Sequence, residues 1–305
     1  MPTKGKSLGN MAAMALVLFS LPAVMAQGVG SPMTGAIRTQ APRQMPPIKI
    51  LLQTPGPIGL ATTTALFAHV AVGGGWNTVF TFLNTGASTV DGNLILTAQD
   101  GTPMNVALAD PSVGPQAGTI GGPVEAVGSS TPISIPVGGV TVLAANPVSA
   151  GAATQTGWAR IESSGGQIGG VATFQLFDAK GTLTTIAGVL SGDSLAAATI
   201  PVDNDDSQTR QVGYALANPG TDPLTVKVDV VTSGGTVQKS FNIPLAPGAQ
   251  IAKFLWQDDA TYLKFRGSMV LIGQGTGKFV VVALVQNGSL YTVIPVIPGK
   301  ASGIN

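Results

Sequence analysis

The chain has 305 residues, enough for two domains of ordinary size with a core each. Its formal net charge of +1, with only 10% of residues charged, excludes the concentrated basic face that nucleic-acid binding requires. It has no cysteine, which excludes disulfides and thiolate chemistry; 41 Gly and 22 Pro among abundant Val, Ala, Ile and Leu suit many short strands joined by turns.

Residues 1–26 read as a secretory signal. Lys4 and Lys6 precede an apolar stretch from Met11 to Val24, and Val24-Met25-Ala26 supplies a small-residue cleavage context. The stretch falls short of the ~20 residues that span a bilayer, so no transmembrane span is expected after cleavage. The destination is extracellular or the cell surface, with the periplasm as the other choice. Residues 27–62 read as a disordered linker in which Pro42, Pro46, Pro47, Pro55 and Pro57 prevent a helix; within it Ile48-Lys49-Ile50-Leu51-Leu52 alone has the character of an edge strand.

A first β-sandwich module is expected over 63–194. Leu66 to Val72 reads as a strand, Gly73-Gly74-Gly75 as a turn and Trp76 to Leu83 as the next strand. Asn84-Thr85-Gly86 forms a corner whose residues tolerate left-handed backbone angles, and Val90 to Gln99 runs into the Asp100-Gly101 turn. Residues 105–131, rich in Pro and Gly, read as an inserted loop, and a structureless run of this length is either functional or merely tolerated. Strands follow at Ile133–Leu143 and Gly157–Ser163, then a hairpin of Gly169–Asp178 with Thr182–Val189. In Gly157-Trp158-Ala159-Arg160-Ile161-Glu162, alternation sends Ala159 and Ile161 to the core and leaves Trp158 outside, beside the Arg160 guanidinium that can stack on it.

A second module is expected over 195–300. Ile200-Pro201-Val202 leads into Asp203-Asn204-Asp205-Asp206, and strands follow from Gln211 to Ile297 between Gly, Pro and Asn turns, seven in number, as in an Ig-like sandwich. The two modules are one plan written twice. Phe82-Leu83-Asn84-Thr85-Gly86 returns as Leu216-Ala217-Asn218-Pro219-Gly220, 134 positions on, whereas Ile135-Pro136-Val137 returns as Ile243-Pro244-Leu245 at 108, which assigns 26 inserted residues to the first copy. At the offset of 108, Arg266 stands where Trp158 does. The fold class is therefore all-β: two tandem Ig-like β-sandwich domains after a signal peptide and a Pro/Gly-rich linker.

The Asn-x-Gly corners, the Ile-Pro pairs before Gly-rich turns and Gly157-Trp158-Ala159-Arg160-Ile161 resemble tandem all-β modules of secreted and surface proteins of soil bacteria, including acidobacterial ones, and are broadly similar to Ig-like and CARDB-type adhesion domains. The resemblance covers most of 64–299. It implies export, a sandwich fold and a role in adhesion, surface structure or ligand presentation, and carries over no catalytic residue.

The chemistry on offer is sparse. His69 is the sole histidine and by alternation shares a face with Phe67 and Ala71, which reads as structural, although a Ser-His-Asp triad would have to be built on it. No nucleophile elbow, phosphate-binding loop or zinc motif occurs, and nothing pairs Glu125 with Glu162 across a cleft as a glycosidase requires. Asp203, Asp205 and Asp206 offer the hard oxygens calcium prefers, in a spacing that departs from the EF-hand loop and lacks its closing Glu; the alternative is a solvated turn. Asp258-Asp259 would complete such a site only if the fold brings them near. Among Trp76, Trp158 and Trp256, an exposed Trp158 beside Arg160 is the candidate ligand platform. The expectation is a secreted or cell-surface, non-enzymatic protein with a structural or adhesion role, without cofactor, whose partners are surface proteins or glycans. A carbohydrate-binding module is the alternative and a hydrolytic enzyme the third reading.

Overall fold

The computed structural model describes residues 64–111, 124–163, 165–205 and 209–299. The expected signal sequence and linker, the middle of the insertion and Asp206 lie outside the described residues. The first half contributes β1 (Thr64–Val72), β2 (Trp76–Asn84), β3 (Val90–Ala98), β4 (Val106–Ala109), β5 (Val124–Gly128), β6 (Ser130–Ile135), β7 (Val140–Asn146), β8 (Gln155–Ser163), β9 (Ile168–Phe177) and β10 (Leu183–Leu190). The second contributes β11 (Ala197–Asn204), β12 (Arg210–Ala217), β13 (Leu224–Thr232), β14 (Val237–Leu245), β15 (Gln250–Phe254), β16 (Phe265–Gly273), β17 (Val280–Asn287), β18 (Leu290–Ile294) and β19 (Ile297–Pro298). Two short 3-10 turns, Leu255–Gln257 and Ala260–Leu263, interrupt it.

The strands form four antiparallel sheets. Those of the first half run β1-β8-β3-β6 and β10-β9-β2-β7-β4-β5; those of the second run β14-β13-β16-β11-β19 and β15-β12-β17-β18. Without β4, β5 and β19 the two halves have one strand order, so the repeat read in the sequence is a repeat of topology. Numbering the eight shared strands of each half in chain order, the sheets are 1-6-3-4 and 8-7-2-5. An Ig sandwich, with sheets ABED and CFG, has the same 2–5 and 3–6 pairings. The first and seventh strands have exchanged places between the sheets, and the fourth pairs with the third instead of the fifth.

Strand pairing corrects the internal alignment. Leu94 pairs with Ile161, and its equivalent Val228 with Leu271, so the later strands correspond at 110 rather than 108. Val90 opposite Ile135 and Leu224 opposite Leu245 give the same offset, and the insertion is 24 residues. A slip of two conserves the inward and outward alternation of a strand, which is why the pattern of apolar residues alone did not reveal it. The residue equivalent to Trp158 is then Ser268, not Arg266. The insertion itself is not structureless where it is described: β4 and β5 pair with each other, and β4 pairs with β7 and so widens the sheet.

Alternating apolar positions place one core between the sheets of each half. In the first, Phe67 from one sheet meets Phe80 and Phe82 from the other at ring-centroid distances of 5.3 and 6.0 Å. In the second, Ile200, Val226, Val228 and Leu271 face Leu216, Phe279 and Ala283 across the gap. Each fully buried aliphatic or aromatic side chain is worth roughly 1.5–3 kcal/mol, and such positions recur on nearly every strand.

The Asn-x-Gly corners carry more than turns. Asn84 and Asn218 are buried; each side-chain oxygen accepts the N–H of the glycine two residues on, Gly86 at 2.9 Å and Gly220 at 3.0 Å. Each side-chain NH2 crosses to the end of a strand of the other sheet, Asn84 to Ile135 O on β6 and Asn218 to Leu245 and Ala246 O at the end of β14. Neither glycine is among those with positive φ. The expected left-handed angle is not the reason for glycine here: a Cβ on Gly86 would come within 3.0 Å of Gln167 N and 3.2 Å of Asn84 Oδ1.

Candidate functional site

The two halves meet along β1, which packs against β12 and β17, and Ala65 through Val72 are buried except His69, which is partly covered. A run apolar on both faces is what a strand covered on both sides needs. β1 is also bulged: Phe67 pairs with Ala159 and Val70 with Gly157, so Ala68 and His69 together oppose Trp158. The extra residue re-aims His69 towards the second half. Gln250 Nε2 lies 3.1 Å from His69 Nδ1 and donates to Ala68 O, while the Phe174 ring stands 5.1 Å from the imidazole. Enclosed among these groups, His69 is pushed by desolvation down to about 4, and its neutral form is the one the joint holds. This agrees with the structural reading of His69.

Trp158 is not an exposed platform. It is 1% exposed, and its indole N–H donates to Gly248 O of the second half at 2.7 Å. Alternation correctly placed it on the outer side of β8, but that side is covered by the turn between β14 and β15. Gly101 and Gly248, at φ +88° and +71°, pack against each other there; a Cβ on Gly101 would sit 2.7 Å from Pro247 O. Gln250 N donates to Gln99 O at 3.0 Å beside them. Arg160 does stack on Trp158, its guanidinium carbon 5.4 Å from the ring centroid, and pairs with Glu162 at 2.6 Å.

The carboxylates of the expected calcium site are engaged otherwise. Asp203 pairs with Arg210 at 3.3 Å and Arg266 at 3.1 Å, and Asp205 accepts from Thr209 Oγ1 and Arg210 N. Asp258 and Asp259 do not join them: Asp258 accepts the Tyr214 hydroxyl at 2.7 Å and pairs with Lys253, and Asp259 pairs with Lys239 at 2.5 Å while capping the second 3-10 turn through Thr261 N. The Lys239 hydrogen bond, assisted by Thr261, holds Asp259 down to about 2. Burial, with Asp258 alongside, raises the Tyr214 hydroxyl well above its ordinary value. Among the described residues no three His, Cys, Asp or Glu side chains gather to hold a metal.

Two surface features remain. A cleft of ≈ 420 Å³ lies where the edge strands β10 and β18 approach each other, lined by Leu183, Ile186, Val285, Leu290 and Tyr291. Tyr291 N donates to Thr185 Oγ1 across it and its ring meets Trp76 edge-on at 5.8 Å. The second feature is on the other edge of the same sheet. Phe254 and Trp256 are half-exposed, with planes 12° apart and centroids 6.4 Å apart. Of the three tryptophans, then, Trp76 and Trp158 are buried and Trp256 reaches the surface. The sequence named Trp256 as a candidate; which one stays exposed depends on how the halves dock. No helix among the described residues is long and apolar enough to cross a membrane. No protein-family model, curated protein or solved structure matches the chain.

Proposed function

We propose that the chain is a secreted or cell-surface, non-enzymatic scaffold with a structural or adhesion role, built as two fused β-sandwiches that are Ig-like in their 2–5 and 3–6 strand pairings. The observation that carries this reading is the joint. β1 is sealed from both sides, and the Trp158–Gly248 and His69–Gln250 contacts lock one sandwich on the other. A second support is where the reactive side chains are used. His69 is held neutral in the joint, Glu162 is paired with Arg160, and Asp203 and Asp258 are tied to arginines and to Lys253 and Tyr214. These groups rigidify the framework, and a rigid framework presents a surface without loss of conformational entropy on binding.

Fractionation of cells producing the full chain tests the reading. The expected result is a processed chain in the medium or on the envelope, with attachment to surfaces reduced in cells lacking it. A full-length cytoplasmic chain overturns it. A hydrolytic activity lost on His69→Ala or Glu162→Gln, in protein that keeps its thermal transition, would replace it with the enzymatic reading.

A further inference from the structure

The second half carries, at the end of the edge strand of its sheet, an aromatic pair that the described residues of the first half lack. β15 is an edge strand and β7 is its equivalent. By the register of β2–β7 and β12–β15, Val79 opposite Ala144 corresponds to Gly213 opposite Phe254. Ala144 and Asn146 are fully buried under β4, which pairs with them. At the matching places Phe254, at the end of β15, and Trp256, in the following 3-10 turn, lie beyond the Gln99–Gln250 contact at an edge that no further strand among the described residues covers. Gly213 makes the seat: a Cβ there would come 3.2 Å from Phe254 Cδ1, so the bare backbone lets the ring lie on the outer face of the sheet.

We propose that Phe254 and Trp256 form a binding platform for a neutral polysaccharide, the apolar C–H faces of successive pyranose rings stacking on the two side chains. The two partly exposed, nearly parallel rings make a flat apolar surface, and the C–H face of a sugar ring stacks on such a surface. The polar surroundings fit hydroxyl groups. Gln257, exposed, accepts the Phe254 N–H through Oε1 at 2.7 Å, which fixes the carboxamide and leaves its NH2 as a donor. The Lys253 side chain is 30% exposed, and its ammonium has donors beyond the one given to Asp258. The charges favour a neutral ligand over an acidic polymer, because Lys253 closes on Asp258 and Lys239 on Asp259 and no net field is left. This inference rests on the surface-binding reading above and names its ligand class.

The test uses the purified chain with hydroxyethylcellulose, xylan, galactomannan and dextran in affinity electrophoresis, and intrinsic tryptophan fluorescence with oligosaccharides of the polymer retained. Because Trp76 and Trp158 are buried, a fluorescence change on binding reports Trp256. The expected result is retardation by at least one of these polymers, weakened roughly tenfold or more by Trp256→Ala and by Phe254→Ala, with Trp256→Phe keeping part of it. Both variants should keep the thermal transition of the parent, since both rings reach solvent and neither belongs to the core of the second half. No retardation by any of the four, retardation unchanged in Trp256→Ala, or loss of a proline-rich peptide rather than a sugar on that substitution overturns the proposal. Failure here leaves the fractionation result standing, so the ligand class and the scaffold reading fall separately.

Discussion

One surface is built twice in this chain and used in opposite ways. In the first half the outer side of β1 and β8 carries Leu66, Ala68 and Trp158, all buried beneath the second half. In the second half the equivalent side of β11 and β16 carries Pro201, Asp203, Arg266 and Ser268, exposed or half-exposed, with Asp203 held between two arginines. The turns that meet such a surface differ in the same sense. The β14–β15 turn docks through Gly248 on Trp158 and Gly101, whereas the β6–β7 turn leaves Val137 57% and Val140 56% exposed. The framework is repeated and the docking chemistry is not. The second half presents a polar face where the first presents an apolar one, as the outer faces of capping repeats do in repeat proteins.

The comparison breaks most sharply at Trp158. Trp158→Ala should cost about 3–5 kcal/mol in denaturant unfolding, through the cavity and the orphaned Gly248 carbonyl, while Ser268→Ala at the equivalent place should stay within about 0.5 kcal/mol. Equal effects would show that the two surfaces are not used differently.

Next is the pH dependence of the joint. His69 has its folded-state pKa depressed to about 4 from 6.5, so between these values the unfolded chain binds the extra proton. The contribution of its neutral form is fully present above about pH 6.5 and is lost as pH falls towards 4, by about 3 kcal/mol. Stability curves at pH 7, 5.5 and 4 should show this slope, and His69→Gln should flatten it.

The shared framework predicts symmetry instead of contrast. Asn84→Ala and Asn218→Ala should each destabilise by about 2–3 kcal/mol, since each leaves buried backbone carbonyls without a donor; a large effect at only one would show that the corners are not equivalent. The smallest effect is expected at Arg160→Ala, below about 1 kcal/mol, because Arg160 is 28% exposed and its partner Glu162 49%. Thermal melts of that variant at low and high salt separate its ion pair from its stacking.

Much of the fold was legible because it is local. Glycine turns and alternating apolar residues placed most strands to within a residue or two, from β2 to β18. Ile133–Leu143, read as one strand, is two, β6 and β7, parted by the Pro136–Gly139 turn and lying in different sheets. β11 was missed because Pro201 interrupts its pattern; it is tolerated there since β19 pairs with β11 only at Ala198 and Thr199, which leaves an edge at the proline. β4 and β5 were missed because so short a pair becomes a strand only by adding to β7. The candidate site was less legible. Trp158 and Arg160 were singled out rightly as a stacked pair, but the ring serves the joint, and the carboxylate run at 203–206 meets arginines distant in the sequence.

By itself the sequence determined the all-β class, the doubling of the plan and the stacking of Arg160 on Trp158, since periodicity and turn chemistry act over a few residues and repeat wherever they are written. Only the tertiary structure decided which outer faces meet solvent. That choice sets Trp158 inside and Trp256 outside, and it depends on the register between strands far apart in the chain and on one bulge in β1, neither of which leaves a mark in the local pattern.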